Sequence, residues 1–151
     1  MSVTNNKSDG MFVTKKNILE FTVENGIAKG WTVILSEQCL DWHRKEHGSN
    51  RPEIFSDTFI HVDIREAIEN PFVVYPSIRV RKNRSVKIDY TKRVFYKEIP
   101  DSRLLLNNQP IPNYVRVVTQ ILKLSNTLEI ITALKSDKIN ERNRCKPFTK
   151  I

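Results

Sequence analysis

Glycine is scarce, with four in 151 residues. That leaves little room for a phosphate-cradling loop, and neither a P-loop nor a G-x-G-x-x-G occurs. The two cysteines, Cys39 and Cys145, stand far apart and form no C-x-x-C pair; a disulfide between them is open, and a reduced intracellular chain is the default. No apolar run approaches the ~20 residues that span a bilayer. The opening stretch MSVTNNKSDG has no apolar signal core, and the expectation is a cytoplasmic chain with no membrane partner. There is no internal repeat. The length suits one domain with a core of its own.

What is abundant is positive charge, and it is unevenly placed. Residues 1–78 hold 8 Lys/Arg and 11 Asp/Glu, a net of −3, whereas residues 79–151 hold 17 and 6, a net of +11. The stretch 79–97, RVRKNRSVKIDYTKRVFYK, has eight basic residues against Asp89 alone. Such a block attracts polyanions by releasing their counterions. Tyr90, Phe95 and Tyr96, set between the cations, add stacking and hydrogen-bonding groups of the kind that single strands use. The bland alternative is a solvated basic hairpin that keeps the chain soluble.

Periodicity divides the chain. Residues 1–10 read as a disordered tail, 11–135 as a single domain, and 136–151 as a polar, basic tail that frays. Phe12 to Val23 fits either a short helix or an edge strand. Trp31 to Leu35 is a compact β-prone run, followed by Ser36 as N-cap of a helix that runs to about His47 and stops at Gly48. A second helix begins near Asp57 or Thr58, with Phe59, Val62, Ile64, Ala67 and Ile68 as its apolar stripe, and Asn70-Pro71 closes it. After Pro71 come strand-like runs: 72–75, 78–80, 93–96, 114–122 and 128–134. Turn-prone KNRS, PDS, NNQPIPN and SN separate them. The expected class is therefore α+β, with N-terminal helices packed on a four- or five-stranded antiparallel sheet.

Three chemistries compete for the histidines. His43-Arg44-Lys45-Glu46-His47 matches the H-x-x-E-H of one zinc-peptidase class. That site needs a third protein ligand, and nothing in the spacing of Glu53 or Glu66 marks either as one. A structural reading is that the histidines simply end an amphipathic helix, where the dipole favours a charged His47. His61, between Ile60 and Val62, reads as a packed or surface residue. The third reading is metal-free RNA cleavage, with no cofactor. A base takes the ribose 2′-OH proton, an acid protonates the leaving 5′-oxygen, and donors surround the phosphorane. Histidine suits the first two roles and arginine the last.

Four stretches, VILSEQCLDWHRKEH, IREAIENPFVVYPS, KRVFYKE and EIITALKS, stand in an order that resembles the barnase–EndoU–colicin–RelE group of RNase folds, in its phage-associated and polymorphic-toxin branches. That resemblance covers about residues 31–135. It implies a toxin-like endoribonuclease that cuts RNA by 2′-OH attack to a cyclic phosphate. His47 or His43 would be the acid or base, Arg93 would face the phosphorane, and Tyr96 and Thr132 would donate hydrogen bonds. Here Gly48-Ser49-Asn50-Arg51 separates His47 from Pro52-Glu53, where the family often writes H-P-E. Arg79, Arg81, Lys82 and Arg84, with Lys87, Lys92, Lys97 and Lys135, would hold the RNA backbone. The implied partners are RNA, such as tRNA or mRNA, and an acidic antitoxin or immunity protein. The same residues admit plainer roles: Tyr96 as a core-facing sheet residue and Thr132 as a β-propensity choice. They also admit a different function, a non-catalytic nucleic-acid-binding module of the same fold.

Overall fold

The computed structural model describes residues 16–47, 56–99, 105–106, 109–110 and 114–151. The 1–10 tail and Glu53 lie outside the described residues, as does the side chain of His47. Strand β1 (Asn17–Thr22) leads through a loop to β2 (Thr32–Ser36), and α1 (Glu37–His47) follows at once. The second helical segment is a π-turn at Phe59–Asp63 continuing into α2 (Ile64–Glu69). Then come β3 (Val73–Val80), β4 (Val86–Glu98), the short pair β5 (Leu105–Leu106) and β6 (Gln109–Pro110), β7 (Tyr114–Leu122) and β8 (Thr127–Ser136).

The α+β class holds, but the sheet is larger than expected and is not purely antiparallel. Six strands run in the order β1-β2-β8-β7-β4-β3, with β2 and β8 parallel and every other pair antiparallel. The first two strands precede both helices and complete one side of the sheet, so the helices are inserted rather than N-terminal. Between helix and edge strand, Asn17–Thr22 is an edge strand: Leu19 and Phe21 alternate inward while Glu20 and Thr22 face out.

Local chemistry sets the helix ends. The Ser36 hydroxyl accepts the Cys39 N–H at 3.1 Å, an N-cap that starts α1 where the strand stops. Ser56 does the same for Phe59, one residue before the expected start of the second helix. The π-turn widens the helix there and brings Phe59 round onto the face that carries Ile60, Ile64, Ala67 and Ile68, all buried. Val62 is left out of the expected stripe and is exposed. Asn70 then donates its backbone N–H to Glu66 before Pro71 ends the run.

The two faces of the sheet are buried differently. The helices cover Leu19, Val33, Phe95, Val117, Leu128 and Ile130 in the main core. On the far face Tyr75, Val94, Tyr96 and Val118 form a smaller cluster with Ile139. Ile139 belongs to the segment that composition assigns to a frayed polar tail. That segment is instead docked: Ile139 and Glu141 are buried on the far face, and Phe148 donates its N–H to the Val74 carbonyl of edge strand β3 at 2.7 Å. Phe148 and Ile151 then pack on the helix side. The few residues that make these contacts are diluted among lysines and arginines, which is why average polarity misreads the segment.

Gly26 sits at φ +82°, where a Cβ would come 2.5 Å from the Glu69 carbonyl oxygen at the end of α2. Gly30 has a similar φ of +91° with open space around it. Both Gly→Ala changes should cost about 1 kcal/mol for the left-handed backbone. Gly26→Ala should cost clearly more, and urea denaturation of the two variants measures the difference.

Candidate nucleic-acid interface

The β3–β4 hairpin carries the basic block on a regular ladder. Ile78 pairs with Ile88, Arg79 with Lys87 and Val80 with Val86. The tip closes through Arg81 N–H to Ser85 O at 2.8 Å and Arg84 N–H to Arg81 O at 2.9 Å, while the Asn83 side chain accepts from Ser85 twice. Arg84 holds φ +66°, a left-handed position that glycine fills without strain. Arg79, Arg81, Lys82, Arg84 and Lys87 are all exposed, and no acidic residue lies between 79 and 88. Arg79 and Lys87 are like charges directly opposite one another, an arrangement that works against the hairpin.

At the base of the hairpin β4 kinks. Three residues of β3, Tyr75 to Ser77, stand opposite the six from Val94 back to Asp89. The Asp89 carboxylate organises this kink by accepting from the Thr91 N–H and hydroxyl and from Lys92 Nζ at 2.6 Å. Those bonds, Lys92 foremost, pull its pKa down to about 2. Lys92 is thereby engaged with Asp89.

The residues expected to be catalytic do not gather at one place. Arg93 and Tyr96 are three apart on one strand, so the pleat sends them to opposite faces. Arg93 lies on the helix side, its guanidinium 3.6 Å over the Phe148 ring and donating to the carbonyls of Tyr90, Lys92 and Ile151. Burial lowers its pKa. It clamps the kink to the C-terminal segment. Lys97 and Lys135 also lie on the helix side, in a hollow with Asp63 and Glu66, and Lys97 pairs with Glu66 at 3.7 Å.

His43 and Thr132 do come together, in a groove between α1 and β8 that is also lined by Cys39 and the exposed Trp42. A β-bulge at Ile131 makes this contact possible, since Thr132 and Ile130 stand opposite consecutive residues of β7. The bulge takes carbonyls out of the ladder, and α1 supplies donors. His43 Nε2 donates to the Ile131 carbonyl at 2.7 Å, and the Cys39 thiol reaches the Ile131 and Ile130 carbonyls at 3.3 and 3.5 Å. Burial, then Glu129, raises the thiol pKa, so Cys39 is a packed donor rather than a nucleophile. With Nε2 given to a carbonyl, His43 is not placed to offer that nitrogen to zinc, and among the described residues no three His, Cys, Asp or Glu side chains converge as a metal site requires.

Tyr96 is fully buried on the far face. Its hydroxyl donates to Glu141 Oε1, and Arg116 joins both partners, Nε to the phenol oxygen at 2.9 Å and Nη2 to Glu141 Oε2 at 3.1 Å. Glu141 has no exposed surface. Burial and the hydrogen bond to Glu141 push the phenol up to about 12, which removes Tyr96 from acid–base work near neutrality. Burial alone would lower Arg116, but the phenol and carboxylate outweigh it and hold the guanidinium's pKa up. This network was invisible in the sequence: Glu141 sits in the tail, 45 residues from Tyr96. Beside it Arg116, Lys138, Arg142 and Arg144 line a cleft that Ile78 and Val80 wall from the hairpin.

No protein-family model, curated protein or solved structure matches the chain.

Tyr96→Phe leaves one carboxylate oxygen of Glu141 without its donor and should cost ~1–3 kcal/mol by denaturant unfolding. The native phenol titrates above the unfolded value of about 10. Its contribution is therefore complete below pH 10 and is lost as pH rises through about 12. Absorbance of tyrosinate at 295 nm, compared between wild type and variant, reads this directly.

Proposed function

We propose that this chain is a nucleic-acid-binding module that grips a phosphate backbone with its β3–β4 hairpin. The observation that carries this reading is the placement of Arg79 against Lys87, with Arg84 in a left-handed turn position, on the outer part of a hairpin, residues 79–88, that has no acid to balance them. Each choice weakens the isolated hairpin and makes sense when a polyanion supplies the missing charge. Cations on a two-stranded ribbon position the backbone without reading sequence, so the expected preference among sequences is small.

Binding of fluorescent single-stranded RNA, followed by anisotropy, should weaken steeply with salt. The Arg79→Gln/Lys87→Gln pair should reduce the slope of log K against log salt by about 2 while leaving the fold intact or slightly more stable. Affinity that ignores salt sinks the reading.

A second reading, an endoribonuclease of the barnase–EndoU–colicin–RelE kind, is favoured by one observation: His43 and Thr132 line the same open groove. His47 ends the same helix. If the groove cleaves RNA, wild type in EDTA should yield fragments with cyclic phosphate ends, and His47→Ala or Thr132→Val should slow cleavage by about 10²-fold or more. RNA that is bound but left intact by wild type removes catalysis and keeps the binding module.

A further inference from the structure

We infer that the cleft between the hairpin and the C-terminal segment is a phosphate site, seating one phosphate of a bound nucleic acid; this rests on the nucleic-acid reading and gives it a specific pocket. Four cations line the cleft, Arg116, Lys138, Arg142 and Arg144, and one carboxylate, Glu141. That carboxylate is already spent. One oxygen accepts from Tyr96 and the other from Arg116, and the side chain is wholly buried, so it presents little negative charge to the opening.

Arg116 is the fixed element. Its Nε and Nη2 are held by the phenol and the carboxylate, and no hydrogen bond to Nη1 occurs among the described residues. A guanidinium oriented by two partners loses little freedom when a remaining edge meets a phosphate oxygen. Its pairing with Glu141 tempers its charge, so Arg142 and Arg144 supply the net attraction. The local fold brings them to the cleft. Two successive turns, Arg142 N–H to Ile139 O and Arg144 N–H to Glu141 O, reverse the chain, with Asn143 at φ +67°. The two alternate arginines then line the cleft with Asn140, while Asn143 does not. Arginine forks at this density match the tetrahedral, multiply accepting oxygens of phosphate. The opposite wall, Ile78 and Val80, belongs to the same strand as Arg79 but to its other face, and the exposed cations of the hairpin tip, Arg81, Lys82 and Arg84, follow directly after Val80 in the chain.

The test uses the full chain and the Arg142→Gln/Arg144→Gln variant, whose side chains are exposed, with thermal unfolding by circular dichroism to verify that it folds. Arg116 is left in place because its removal would strand Glu141. Titration with inorganic phosphate, followed by nitrogen–proton NMR, should shift the amides of residues 140–144 and the Arg116 Nε–H, and the variant should abolish those shifts. The variant should also bind single-stranded RNA about tenfold more weakly at low salt, with a slope against log salt lower by about 1 or more. Oligonucleotides with and without a 5′-phosphate identify the source: equal weakening of both marks an internal phosphodiester, and weakening of the phosphorylated one alone marks a terminal phosphate. Phosphate shifts confined to the hairpin, or RNA binding that the variant leaves unchanged, overturn the cleft site while the nucleic-acid reading stands. Cleft shifts with phosphate but no RNA binding by wild type overturn the nucleic-acid reading and keep an anion site.

Discussion

A carboxylate with no water around it must be compensated in full, and in this fold Glu141 is that group. Arg116 from β7 and the phenol of Tyr96 from β4 are its partners, so three distant parts of the chain are held to one geometry. The C-terminal segment is fixed by this demand more than by its own apolar content, which is small. Once fixed, it covers the far face of the sheet through Ile139, turns past the edge of β3, and returns to the helix side, where Phe148 receives the Arg93 guanidinium. The cleft, the cover of the far face and the clamp on the β4 kink all depend on that one pairing.

Much of the helical part was legible in the sequence because its signals are local. Ser36 caps α1, Pro71 stops α2, and the SN turn joins β7 to β8 as spacing suggests. The sheet was harder to read because pairing is non-local. Thr32–Ser36 reads as a strand, but nothing in it announces that it lies parallel to Thr127–Ser136, nearly a hundred residues later, and Asn17–Thr22 cannot be told from a helix by its pattern. The extra turn of π-helix at Phe59 likewise has no sequence mark, and it moved Val62 off the buried stripe.

For the site, the sequence held more information than residue type alone conveys. Arg93 and Tyr96 were grouped as one motif, yet an odd separation along a regular strand already assigns them to opposite faces. The basic hairpin, by contrast, needed only composition and a turn signal to be found. The Tyr96–Glu141–Arg116 network was beyond reach, since it depends on which acidic residue of a polar segment is buried. His43 illustrates a further limit: whether a helical histidine does chemistry or satisfies a bulge carbonyl is decided by a strand 88 residues away.

The N–H of Phe148 on the Val74 carbonyl has a meaning beyond holding one segment in place. Strand β3 is one of the two outer strands of the sheet, and its Val73-Val74-Tyr75 run is the apolar, β-prone sort that recruits another chain's backbone. Pro76 interrupts that run from within, and Phe148 occupies it from outside. The C-terminal segment is in this sense a guard against self-association. A chain that cannot seat Glu141 would lose its cover on this edge as well as its packing, and its failure would be seen as aggregation before it was seen as unfolding.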